Sequence, residues 1–115
     1  MKVRFTTYLL AGILTVLGSA QALYLATTWA SIDATPAACT QDARAALQLA
    51  GLGQGFNVAG DSVYGGNDDY VASVRCLTGE KVLFVSVAGP DGKRAQAYAQ
   101  TVQQTFLSMG LPTVR

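Results

Sequence analysis

Two cysteines, Cys39 and Cys76, are the only ones in the 115-residue chain, and they stand behind an N-terminal stretch laid out like a leader. A basic start (Lys2, Arg4), an apolar run from Phe5 to Gly18 and the small-x-small ending Ala20-Gln21-Ala22 form the pattern of a secretory signal peptide. Leader and cysteine pair support each other, because disulfides persist in oxidising compartments. The expectation is cleavage near Ala22, a periplasmic or secreted location, and a structural Cys39–Cys76 disulfide. The cysteines are too far apart for a C-x-x-C redox motif, and each falls in a segment that reads as structural.

Cleavage after Ala22 leaves 93 residues, enough for one domain and one small core. Closing the loop from Cys39 to Cys76 then contributes about 3–4 kcal/mol on the chain-entropy model. The competing reading keeps the leader. No charge occurs from Phe5 to Ile32, long enough to span a bilayer, which would make the chain a membrane-anchored envelope subunit with residues 5–32 as its anchor. The leader does not end in cysteine, so lipid attachment there is excluded.

Lys2 and Arg4 both lie in the leader. From Leu23 onward six basic residues face seven acidic ones, a formal charge of −1, with no run of like charge. Neither nucleic acid nor an anionic membrane surface is an implied partner. The membrane is a partner only if the leader is uncleaved.

Residues 23–36 read as a linker or arm, rich in Ala and Thr and closed by Pro36, with Leu23, Leu25 and Trp29 available to dock on the domain. Residues 37–110 read as the domain, and 111–115 as a C-terminal tail. Pro36 suits the first turn of a helix. Cys39, Ala43, Ala46 or Leu47, and Ala50 then recur at helical spacing up to the glycine stop at Gly51 and Gly53. The period changes next. An alternating strand from Phe56 runs on through Val63-Tyr64, Gly65-Gly66-Asn67-Asp68-Asp69 turns, and Tyr70 to Cys76 alternates again. After Thr78-Gly79-Glu80 the run Lys81 to Ala88 is a third strand, nearly continuous in apolar residues. Asp91 suits a helix N-terminus, and Ala95, Tyr98, Val102, Thr105 or Phe106, and Met109 follow helical spacing to Gly110.

The fold class expected is therefore α+β: a single small domain in which a three-stranded antiparallel sheet carries two helices on one face, in the order α-β-β-β-α, with one disulfide. Cys76 marks the covered face. Val71, Ser73, Arg75 and Phe84 fall on the other.

No histidine occurs anywhere, which removes the commonest general base and the usual nitrogen ligand for zinc or copper. Asp61, Asp68 and Asp69 invite a calcium reading, but they lack the spacing of a calcium loop, and Asx residues in a turn bond their own backbone. The glycines near 51–60 lack the Walker spacing for a phosphate cradle. No cofactor, metal site or catalytic residue is assigned. Only an enzyme whose Asp61 and Asp68 converged in one pocket would depart from this. Tyr64 and Tyr70 form either an aromatic ledge or a cross-strand pair.

The strings Cys39-x3-Ala43, Ala46-Leu47, Gly60-Asp61-Ser62-Val63-Tyr64-Gly65, Tyr70-x4-Arg75-Cys76 and Val85-x-Val87-Ala88-Gly89-Pro90-Asp91 resemble a family of small uncharacterised exported (periplasmic) proteins of Gram-negative bacteria. The resemblance covers about residues 38–108. It implies export and a βββ sheet flanked by helices, and it carries over no activity, ligand or functional residue.

The function expected is a non-catalytic binding or accessory module of the cell envelope, engaging a protein or small ligand. Its candidate surface is Asp61, Tyr64, Asp68, Tyr70, Val71, Ser73, Arg75 and Phe84, on the open sheet face and the hairpin beside it.

Overall fold

The computed structural model describes residues 23–110; residues 1–22, expected as a leader, and 111–115, expected as a tail, lie outside the described residues. In chain order the elements are β1 (Tyr24–Ser31), α1 (Pro36–Leu49), β2 (Gln54–Ala59), β3 (Ser62–Gly66), β4 (Val71–Leu77), β5 (Val82–Gly89) and α2 (Gly92–Gly110). The strands form one antiparallel sheet in the order β1-β5-β4-β3-β2. Both helices pack on one face of it. The class is α+β as expected, but the sheet has five strands where three were expected, for two separate reasons.

First, the segment read as a linker or arm contains β1. Tyr24 to Ser31 pairs residue by residue with Gly89 to Val82 and forms an edge of the sheet. Its side chains invert the usual contrast. Ala26, Thr28 and Ala30 face the helix layer, where α2 lies close, while the bulkier Leu25 and Trp29 point away and are 68% and 64% exposed. A strand with small residues inside and large ones outside gives no amphipathic signal. It extends the sheet edge and leaves the open face uncovered.

Second, the strand read from Phe56 through Tyr64 is a hairpin. Gly60 and Asp61 form a two-residue loop between the paired Ala59 and Ser62. Gly60 has φ +62° while Asp61 keeps negative φ, the pattern of a turn with glycine at its first central position. Gly65 and Gly66, expected in the next turn, are the last residues of β3.

The turn that follows is an Asx turn. The Asn67 side-chain oxygen accepts hydrogen bonds from the backbone N–H of Asp69 (3.0 Å) and Tyr70 (2.9 Å). Its amide nitrogen donates to Gly51 O (3.3 Å) and Tyr98 Oη (3.2 Å), tying the turn to both helices. The carboxylates of Asp68 and Asp69 stay exposed.

The helices end as their sequences dictate. Thr35 caps α1, its hydroxyl accepting from Ala38 N–H at 3.2 Å, with Pro36 in the first turn. At the other end Leu52 N–H reaches Leu47 O (2.8 Å) and Gly51 N–H reaches Gln48 O (3.1 Å), a Schellman closure that buries Leu52 against the core. Asp91 caps α2, its carboxylate accepting from Lys93 (2.9 Å) and Arg94 (3.1 Å).

The core lies between sheet and helices. Val63, Val74, Leu83, Val85 and Val87 from the sheet meet Ala43, Ala46 and Leu47 of α1 and Ala95, Ala99, Val102 and Phe106 of α2, all essentially buried. The Cys39–Cys76 disulfide crosses this layer with a Cα–Cα distance of 6.1 Å and joins α1 to β4. The alanines let the helices approach closely, so few large side chains fill the interior.

Candidate functional site

The register places the side chains of the open face in three rows across the sheet. Leu25, Ala88, Val71 and Gly66 form the first. Thr27, Ser86, Ser73, Tyr64 and Asn57 form the second, and Trp29, Phe84, Arg75, Ser62 and Ala59 the third. Neighbouring strands lie about 4.8 Å apart, so members of a row touch. The face thus has an apolar end at Leu25 and Val71, a hydroxyl-rich middle row, and a row in which Phe84 stands between Trp29 and Arg75. Val71 is 65% exposed, and Phe84 and Tyr64 are about two-fifths exposed. Helices cover the opposite face only, so nothing among the described residues shields this one.

Of the expected surface residues, Tyr64, Val71, Ser73, Arg75 and Phe84 share this face. Asp61 reaches its rim from the β2–β3 turn, where its carboxylate meets Arg75 Nε at 3.4 Å. The pair is roughly half exposed, so it orients the guanidinium beside Phe84 and adds little to stability.

Tyr70 is corrected. It immediately precedes β4 and points to the covered side, 4% exposed, with its ring centroid 5.0 Å from that of Tyr98. Tyr64 projects to the opposite face and pairs with Ser73 and Asn57, so the two tyrosines form neither a ledge nor a cross-strand pair. Asp68 is likewise remote. Asp61 precedes β3 and Asp68 follows it, so the two carboxylates stand at opposite ends of that strand and do not converge.

Among the described residues, two open hollows lie away from this face. One of about 340 Å³ lies between the start of α1 and the β2–β3 hairpin, lined by Pro36, Ala37, Thr40, Val58, Gly60, Asp61 and Cys76. Its only ionisable side chain, Asp61, is engaged with Arg75. The other, about 260 Å³, gathers Gln54, Asn67, Asp68, Asp69, Tyr70, Arg94 and Tyr98. Among the described residues no group of three or more His, Cys, Asp or Glu side chains could hold a metal ion, and no helix is long and apolar enough to cross a membrane.

The sequence reading missed Leu25, Thr27, Trp29 and Ser86 on this surface. The first three follow from missing β1. The available signal was compositional: Tyr-Leu-Ala-Thr-Thr-Trp-Ala-Ser is uncharged, rich in aromatic and β-branched residues, and of strand length. No protein-family model and no curated protein matches the chain.

Proposed function

We propose that the protein is an exported, non-catalytic binding or accessory module of the cell envelope, periplasmic after cleavage near Ala22, and that it engages a protein or small ligand through the open sheet face. The observation that carries this reading is the exposure of Leu25, Trp29, Val71 and Phe84 on one uncovered face with Arg75 beside them. Large apolar side chains left in water on either side of a hydroxyl-rich row, on one face of a small domain, suit an interaction site with mixed polar and apolar contacts. The leader pattern and the buried disulfide support export. The lack of histidine and the separation of Asp61 from Asp68 support binding over catalysis.

The test of the surface is a photo-cross-linking residue placed at Phe84, with one at Gln96 on the outer side of α2 as control, in the native envelope. A specific adduct from Phe84 that is absent from Gln96 supports the reading; equal labelling, or none, overturns it. The test of export is the intact mass with and without reduction. A chain beginning at Leu23, two hydrogens lighter before reduction, is expected. A full-length chain found only in membranes would instead make it an anchored subunit. Because β1 takes up Tyr24–Ser31, such an anchor would have to end before Tyr24 and not at Ile32.

A further inference from the structure

The two edges of the sheet differ. On the β2 edge the register is broken between Gln54 and Asn57, and Gly55 has φ +67°, an irregularity that discourages another strand from docking. The β1 edge has no such device. Its eight residues hold an unbroken register with β5 and include no charge, proline or glycine.

The direction of its backbone groups is fixed by two independent contacts. Ile32 N–H bonds Lys81 O at 3.0 Å, continuing the β1–β5 ladder. In an antiparallel ladder alternate residues turn both N–H and C=O to the same neighbour. Ala26, Thr28 and Ala30 therefore bond β5, while Leu25, Thr27 and Trp29 direct theirs outward. The Trp29 carbonyl agrees: it accepts a hydrogen bond of 3.1 Å from Gln103 Nε2 of α2, whose Oε1 accepts from the Thr28 hydroxyl. A carbonyl has a second lone pair, so this contact leaves room for a strand N–H.

The geometry points to a homodimer in which β1 pairs antiparallel with β1 of a second copy, about a two-fold axis through Thr27. Outward groups can pair only with outward groups, which limits the register. With Thr27 opposite the partner's Thr27, Leu25 falls opposite the partner's Trp29 and the reverse, so each exposed apolar side chain covers another. About six backbone hydrogen bonds form. The seam carries no like charges, since β1 is uncharged and α2, which flanks it, has none from Ala95 to Gly110. The second copy's α2 runs antiparallel to the first, with opposed dipoles. A foreign strand would meet the same backbone groups. The self-complementary register and the neutral seam favour a second copy. The result is a continuous ten-stranded sheet with both open faces on the same side. The inference stands whether or not that face binds anything.

The test is sedimentation of the purified, envelope-recovered protein at about 10–200 μM, with two substitutions at the axis. Twice the chain mass is expected. Thr27→Lys opposes two like charges at the exposed axis and should weaken association roughly tenfold or more with the circular dichroism unchanged. Thr27→Cys should cross-link copies under oxidation, whereas Ser31→Cys, remote from its own symmetry mate, should not. A single-chain mass throughout this range overturns the proposal, as does a dimer indifferent to Thr27→Lys, equal cross-linking of both cysteine variants, or a monomer that pairs β1 with a different protein.

Discussion

Tyr70 and Tyr98 pack at 5.0 Å between centroids with their rings inclined by 53°, and the Tyr70 ring lies directly over the α-carbon of Gly89. The contact joins the start of β4, the end of β5 and the middle of α2. A methyl group at Gly89 would overlap the Tyr70 ring, which has nowhere to go while Tyr98 backs it. Gly89→Ala should therefore destabilise by about 1–3 kcal/mol, the usual cost of overpacking. In a domain of this size each kcal/mol lowers Tm by about 4–8 °C. A Tm lowered by less than about 4 °C, which corresponds to under about 1 kcal/mol, would show that the ring swings aside.

Joining α1 to β4, the disulfide closes a loop of 37 positions. Cys39→Ala with Cys76→Ala should cost about 3–4 kcal/mol, a large share of a typical total of about 5–15 kcal/mol. Thermal melts with and without reductant check it. Wild type should lose stability on reduction, and the double variant should melt at one temperature in both.

Gly60 and Gly79 both face open space, so an added methyl group touches nothing at either position. Only Gly60 has positive φ. Gly60→Ala should destabilise by about 1 kcal/mol, while Gly79→Ala should be neutral or stabilise by about 0.4–1 kcal/mol. Equal effects in urea unfolding would refute the assignment of the cost to backbone conformation.

Asp91 satisfies two free N–H groups at the positive end of α2. Its replacement by Ala should cost about 1 kcal/mol, and Asp91→Asn should retain most of the capping. Thr35→Ala, which removes a single longer bond at α1, should cost no more than Asp91→Ala. Chemical denaturation of the three variants ranks them directly.

The Asp61–Arg75 pair is solvent-screened, so Asp61→Asn and Arg75→Gln should each change stability by about 0.5 kcal/mol or less. A double-mutant cycle measures the coupling. Any strong loss of Phe84 adduct formation in Arg75→Gln would then report on the surface and not on folding.

The parts of the fold legible in the sequence were those where two signals agreed. Helical spacing and end residues coincide in α1 (Pro36, Gly51) and in α2 (Asp91, Gly110). In β4 and β5 the buried residues alternate as their sequences suggest. The split between β2 and β3 was marked only by the dipeptide Gly60-Asp61, because Val58 and Val63, on either side of it, look like one strand. β1 was illegible because burial of a small residue under a close helix and exposure of a tryptophan run against the usual sorting. Five of the eight expected surface residues share one face, since alternation within β3, β4 and β5 fixes their direction. Tyr70 went astray because it was grouped with the hairpin and Tyr64, although its alternation with Ala72, Val74 and Cys76 already set it on the covered side, where it meets Tyr98. Asp68 went astray because the turn holding it lies one strand length from Asp61.

The pairing of β1 with β5 also dictates a timetable. A chain emerges N-terminus first, so Tyr24–Ser31 is among the first described segments to appear, yet its partner residues follow 51 positions later for Ser31 with Val82 and 65 for Tyr24 with Gly89. Until then this uncharged, aromatic strand has neither neighbour nor cover, while the β2–β3 hairpin can close on its own within a dozen residues. Assembly is thus gated by the arrival of Val82–Gly89. A chain interrupted before that point presents Leu25 and Trp29 on a bare strand, and is more prone to clump than one lacking either helix cap.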